Sequence, residues 1–139
     1  MHQQQDCVFC QIVSGEGHCH LIHEDSLTMT FLDIFPSSPG HTLIITKQPF
    51  TDIFEVTPDA LAAVAARSVA VAAALNDQLK PAGLGIFQLN KAAAGQTVFH
   101  YHMHLIPKYD GIDFNIHAQT LADPATLSEL ANQLRECLS

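Results

Sequence analysis

Basic residues are scarce in this chain. Its 139 residues hold six Lys and Arg against fourteen Asp and Glu, a net charge of −8 with histidines neutral. So acidic a protein repels long polyanions, which argues against a DNA or RNA polymer as partner. It leaves open a single nucleotide held by a few positioned donors. Charged residues of both signs reach only 14%, against 47% apolar, which excludes a disordered chain. The four cysteines, Cys7, Cys10, Cys19 and Cys137, do not suggest a disulfide framework at this length, and a reducing, cytoplasmic setting is expected. No secretory signal is expected either, since Met1 to Asp6 lacks a cationic start and an apolar stretch. The longest greasy run, Ala60 to Leu75, is broken by Arg67 and falls short of a bilayer span, so no membrane partner is expected. No repeat, low-complexity tract or linker divides the chain, and its length suits one domain that buries roughly two-thirds of its unfolded surface.

Histidine, by contrast, is abundant, with nine residues, and the local patterns say where they fall. Cys7 to Ser14 reads as a short helix stopped by Gly15. Cys19 to Glu24 and Leu27 to Leu32 read as strands around an Asp25-Ser26 turn. Phe35 to Gly40 is a Pro- and Gly-bearing loop, and His41 to Thr46 is a β-branched strand. Thr57-Pro58-Asp59 starts a long helix with a Thr cap, Pro at the first helical position and an acid in the first turn. Apolar positions from Leu61 to Leu79 follow at helical spacing, and Pro81 ends it. Leu84 to Leu89 and Phe99 to Ile106 are further strands, and Asp123-Pro124 opens a last helix. The strands do not alternate regularly with helices. The chain is therefore expected to be α+β, with a five-stranded antiparallel sheet, a long helix and a C-terminal helix.

Read as a strand, Phe99 to Ile106 puts Phe99, Tyr101, Met103 and Leu105 on one face and His100, His102 and His104 on the other, about 7 Å apart in succession. A core does not favour three imidazoles in a row, because each carries two polar nitrogens that need partners. Three readings stand. The row could be an exposed strand face. It could be a metal site, since imidazole suits zinc. Or it could be nucleophilic chemistry on phosphorus, with a neutral imidazole attacking while its other nitrogen is oriented by a hydrogen bond. The preceding Ala94-Gly95-Gln96-Thr97 favours the third: Gly95 allows close backbone approach, and Gln96 and Thr97 offer donors.

These segments resemble the histidine triad (HIT) superfamily. The pattern His100-Tyr101-His102-Met103-His104-Leu105-Ile106 carries the resemblance, with Ala94 to Phe99 before it and Pro107-Lys108-Tyr109 after it. Phe31-Leu32-Asp33-Ile34 and Ser38-Pro39-Gly40-His41 match upstream. The match covers a core of about residues 7–109 within a single domain of 1–139, leaving 110–139 as an extension that holds the last helix. The resemblance implies a homodimer, binding of a purine nucleotide, and cleavage at the α-phosphorus of nucleotide phosphoramidates or dinucleoside polyphosphates, a choice that stays open, through a nucleotidyl-histidine intermediate. By position, His102 is the nucleophile, His100 and His41 support it, and His104 contacts phosphate or leaving group. Asp33 would accept from ribose hydroxyls, Gln96 and Thr97 would hold phosphate or leaving group, and Asn90 lies near a polar position of the family. The plainer alternatives are a turn carboxylate for Asp33 and a structural histidine for His41. Tyr101 and Met103 stand where the uridylyl-transfer branch has proline, and no zinc-finger cluster follows Ile106 as in the DNA-repair branch.

Cys7-Val8-Phe9-Cys10 matches a pair that, in many prokaryotic members, binds structural zinc together with the first triad histidine, here His100. A further histidine of that set would fall near Lys47-Gln48-Pro49, where none stands; His18 or His20 could substitute. The alternative is two reduced cysteines packing a helix. No cofactor is required for the expected chemistry. The rival functions are a nucleotide- or partner-binding protein with incidental turnover, and a metal-dependent enzyme that uses the triad as ligands.

Overall fold

The structure, a computed structural model, describes residues 7–112 and 120–138; part of the 110–139 extension therefore lies outside the described residues. Helix α1 (Val8–Ser14) begins at Cys7, whose Sγ accepts the Cys10 N–H at 3.2 Å, and ends at Gly15 in the left-handed conformation. Strands β1 (His20–Glu24), β2 (Thr28–Leu32) and β3 (Thr42–Thr46) follow. Next come the long helix α2 (Pro58–Leu79), β4 (Gly83–Phe87), a 3-10 turn at Ala92–Ala94, β5 (His102–Lys108) and α3 (Pro124–Leu138). The five strands form one antiparallel sheet in the order β1-β2-β3-β5-β4.

Both faces of the central strands are covered, so β2 and β3 are buried along their whole length. Leu32, Ile44 and Leu105 pack with Val64, Val71 and Leu75 of α2 and Leu127 and Leu134 of α3. Met29, Phe31, Leu43 and Ile45 point the other way, against Phe9 and Ile12 of α1. The period-2 alternation thus sends neighbouring residues into two separate cores. The loop before β3 depends on Gly40, at φ +93; a Cβ there would collide with Leu79 of α2 and press on Pro107. The Ser38 hydroxyl donates to the Pro107 carbonyl and so ties this loop to β5.

Helix α2 is longer than the apolar run from Ala60 to Leu75. Its 22 residues are long and apolar enough, by length and composition, to cross a membrane. Here one stripe of it packs on the sheet, and Arg67 reaches Asp25 at 3.4 Å.

The structure corrects the expected strand Phe99–Ile106. Strand β5 begins at His102, opposite Ile45, and runs to Lys108. One step earlier the ladder is only half made: the Thr46 N–H reaches the Tyr101 carbonyl at 3.5 Å, while the Thr46 carbonyl is taken by His100 Nε2. Residues 98–101 instead bend against the loop after β3, where the Tyr101 N–H donates to the Phe50 carbonyl at 2.7 Å. Phe99 is consequently 44% exposed rather than packed on the apolar face. His100 leaves the row of imidazoles.

Candidate active site

A cleft of about 390 Å³ lies between α1 and the sheet face opposite α2. Its walls are largely apolar, from Phe9, Ile12, Phe31, Leu43 and Val98 among others, while Asp33, Thr97, His102 and His104 bring polar groups to it. The rings of His102 and His104 stand 4.9 Å apart, centroid to centroid, and Phe9 meets His102 edge-on at 5.0 Å.

Backbone partners fix where the protons of these imidazoles sit. His102 Nδ1 lies 2.6 Å from the carbonyl oxygen of His100. A carbonyl only accepts, so Nδ1 carries the hydrogen and Nε2 keeps the lone pair. Burial holds His102 below its ordinary pKa, against the opposing pull of that carbonyl, so the ring is neutral at neutral pH. His41 Nδ1 accepts the Ser37 N–H at 2.9 Å, which puts the His41 hydrogen on Nε2. From there it donates to His104 Nδ1 at 2.9 Å, and His104 in turn carries its hydrogen on Nε2. The cleft therefore has a lone pair on His102 and an N–H donor on His104.

Asp33 closes the polar end. Its Oδ1 accepts the Phe35 N–H at 2.8 Å, and its Oδ2 lies 3.5 Å from His41 Nε2. Burial dominates both groups: it pushes the Asp33 carboxyl up to about 6, and it pushes His41 down to about 4 with the help of nearby His102. His41 thus serves as a neutral donor that orients His104, rather than supporting His102 directly. The ligand atoms of Asp33, His41 and His104 lie within 4.8 Å of one another, a spacing that suits a metal ion. The Ser37 N–H speaks against one: it keeps the proton on His41 Nε2, the atom that would have to coordinate.

The loop before the triad is a frame. Gln96 is buried; its Oε1 accepts the Lys91 N–H at 2.7 Å, and its Nε2 donates to the carbonyls of Thr51 and Val98 at 2.7 and 3.1 Å. The expected phosphate donor is thus committed to the main chain. Asn90 is similarly engaged, accepting the Ile53 N–H at 2.8 Å and exchanging two hydrogen bonds with Gln88; it does not line the cleft. Gly95, at φ 105, ends the 3-10 turn. Thr97 is exposed at the cleft wall.

His100 is fully buried on the far side of Phe9. Its Nε2 donates to the Thr46 carbonyl at 2.6 Å, which leaves the Nδ1 lone pair 3.4 Å from the sulfurs of both Cys7 and Cys10. Two thiols and an imidazole with the correct nitrogen deprotonated fit a tetrahedral zinc ion at three positions. No fourth His, Cys or carboxylate joins them among the described residues. His18, at the cleft, and His20, 3.2 Å from the Ser128 hydroxyl, are not part of the group. Burial, then Cys7, push the Cys10 thiol up to about 12, so a bound cation would have to displace its proton.

Sequence reasoning did not single out Ser37, Thr46 or Phe9. The first two act through main-chain atoms, which leave no residue signature. Phe9 was legible in principle, because Val8, Phe9 and Ile12 are spaced to present one apolar face of a short helix.

The fold and these histidines define a known class of protein. A HIT domain model matches residues 14–111, and the chain belongs to the histidine triad (HIT) family. Adenylylsulfatase HINT3 of Arabidopsis thaliana is 40% identical over 108 residues, 76% of this chain and 53% of that protein. A histidine triad nucleotide-binding protein from Sulfolobus tokodaii superposes with a TM-score of 0.86 at 31% identity, covering 95% of this chain and 91% of that one. A zinc-bound histidine triad family protein from Mycobacterium smegmatis gives 0.83 at 35% identity, covering 98% and 95%.

Proposed function

We propose that this chain is a nucleotide-binding hydrolase or nucleotidyl transferase that cleaves at the α-phosphate of purine nucleotides through an adduct on His102. One observation carries the reading: the His100 carbonyl holds the hydrogen of His102 on Nδ1, so a neutral Nε2 lone pair faces a nucleotide-sized cleft. The base rests against the apolar walls, and the Asp33 carboxylate accepts from the ribose hydroxyls. His102 Nε2 attacks the α-phosphorus, forming a P–N bond as the bond to the leaving group breaks and its electron pair departs with that group. An amine leaving group takes a proton, for which His104 Nε2–H is the donor in reach of the cleft. Water then cleaves the P–N bond, releasing the nucleoside monophosphate and restoring the imidazole. Gly95 and Thr97 support the phosphate side, Gln96 and Asn90 through the loop frame they hold.

Adenylylsulfatase HINT3 acts, by its name, on an adenylylated substrate, which agrees with an adenylyl group in this cleft. When zinc is bound by Cys7, Cys10 and His100 it supplies structural anchoring. The reaction needs no cofactor, because imidazole and hydrogen-bond donors suffice for it. The four free thiols agree with a reducing, cytoplasmic location, and the acidic charge with a small nucleotide rather than a polymer or membrane partner. The residues 7–109 form the working core of one domain, and the chain works as a homodimer.

The test is rapid quench with a labelled adenosine 5′-phosphoramidate, followed by mass analysis of the triad peptide. A transient adenylyl adduct on His102 is expected, with loss in His102→Ala exceeding the ~10²–10⁴ of a proton-transfer group alone. Near-normal turnover by His102→Ala would end the assignment.

A further inference from the structure

The chain has only six cationic side chains, and five have an oxygen partner. Lys47 pairs with Glu24 at 2.7 Å and Arg67 with Asp25 at 3.4 Å. Lys80 and Lys108 donate to the carbonyls of Asp77 and Tyr109, and Arg135 to that of Leu21. Lys91 alone has no oxygen acceptor among the described residues. Its Nζ rests 5.2 Å from the ring centroid of Phe54, a phenylalanine left 74% exposed.

The backbone under Lys91 is equally unusual. It sits at φ 75, ψ 153, a conformation that favours glycine. The surroundings enforce it: the Lys91 N–H goes to Gln96 Oε1, and its carbonyl accepts from the N–H groups of Ala94 and Gln96. Gln96 also holds Thr51, and Asn90 holds Ile53, so the turn that bears Phe54 is clamped to the loop that bears Lys91. The residue after Gln96 is Thr97, on the wall of the cleft with His102 and His104. A strained, doubly clamped frame therefore holds the Lys91 main chain one hydrogen-bonded step from that wall, and the ammonium extends from it on a flexible stem.

We propose that Lys91, seated on Phe54, forms a leaving-group subsite for a tetrahedral oxyanion, sulfate or phosphate, attached to the α-phosphorus. The proposal rests on the reading of the cleft given above. When His102 Nε2 bonds to phosphorus, the bridging P–O bond breaks and its electron pair goes to the departing sulfate or phosphate oxygen. Such a group leaves as a stable anion and takes no proton, unlike an amine. What it needs in a chain of net charge −8 is a local cation, and Lys91 supplies a point charge without entering either bond.

The experiment compares kcat/KM for adenosine 5′-phosphosulfate, ADP and adenosine 5′-phosphoramidate in the wild type, Lys91→Gly and Lys91→Arg. Glycine suits the local φ, so the frame survives the substitution. In Lys91→Gly the ratio of an anionic substrate to the phosphoramidate should fall roughly fivefold, as expected for a partly solvated ion pair. The ratio should also lose much of its dependence on salt, and Lys91→Arg should restore it. The arm that moves more, sulfate or phosphate, identifies the oxyanion. An unmoved ratio, or an equal loss on all three substrates, overturns the subsite. Failure of the wild type on all three overturns the underlying reading and the subsite with it, whereas wild-type turnover with an unmoved ratio sinks the subsite alone.

Discussion

The carbonyl oxygen of His100 accepts the Nδ1–H of His102 at 2.6 Å, while the His100 ring is gripped between Thr46 and the two sulfurs of α1. A buried anchor thereby aims the imidazole at the cleft through the main chain.

His100→Ala should therefore lower kcat by about 10- to 100-fold, the usual cost of losing an orienting partner, with little change in KM. The His100 carbonyl survives the substitution, so the loss should stay well short of that in His102→Ala. Steady-state kinetics on the two variants decides it, and wild-type kcat in His100→Ala would show that the ring anchors nothing that matters.

Asp33 and His41 pull stability in opposite directions with pH. The folded pKa of His41, about 4, lies below its ordinary 6.5, so its contribution is present above pH 6.5 and lost as pH falls toward 4. The folded pKa of Asp33, about 6, lies above its ordinary 3.8, so its contribution is present below pH 3.8 and lost as pH rises through 6. Each effect is worth at most roughly 3 kcal/mol, at about 1.4 kcal/mol per pKa unit, and the two nearly cancel between pH 4 and 6. Asp33→Asn should raise the melting temperature at pH 7 and unmask a steep loss of stability below pH 6. Denaturant titrations at pH 4.5, 6 and 7.5 give the slopes; parallel curves for variant and wild type would contradict the assignment. The same variant should bind nucleotide less tightly, since it loses the ribose-facing charge.

How far the sequence carried can be judged at particular residues. His102, His104, His41 and Asp33 are read from short motifs; three of them line one cleft and His41 is bonded to His104 behind it, and α2 follows from its Thr57 cap and apolar spacing. His100 could not be placed, because its alternation with Tyr101 and His102 continues unbroken. What ends the strand is the Tyr101 N–H, which goes to the Phe50 carbonyl while His100 Nε2 takes that of Thr46, contacts between segments distant in sequence. Gln96 and Asn90 could not be placed for another reason. A side-chain amide serves a ligand or a loop equally well, and only the folded loop shows which it has chosen.

Zinc should be found at one ion per chain by elemental analysis and should be lost in Cys7→Ser, because the sulfurs and His100 Nδ1 supply three ligands. Chelation should lower the melting temperature while leaving most turnover intact. Retention should also weaken at acidic pH, where the thiols compete for protons. A metal-free protein from zinc-supplied cells would remove the site.

Light scattering should give twice the 15.1 kDa chain mass at micromolar concentration. The sheet ends at β4, where Ile86 is 52% exposed, and α2 carries Val69 at 73% exposure. Both are apolar surfaces that a two-fold partner would cover. Ile86→Asp with Val69→Asp should shift the mass to that of the single chain. A monomeric wild type would overturn the arrangement.

The brace formed by Gln96 has a consequence for how this protein can change. One side chain, acting on main-chain groups of Lys91, Thr51 and Val98, fixes the shape of the loop. That shape is therefore indifferent to the identity of Ala92, Ala93 and Ala94, which stand exposed at its tip. These three positions are an address on the loop that leads to the cleft wall at Thr97, where new side chains can be installed without rewriting the frame. Substrate range can drift there while the imidazoles beneath keep their geometry, so acquiring a new leaving group and retaining the old chemistry are separable problems for a lineage, or for an engineer.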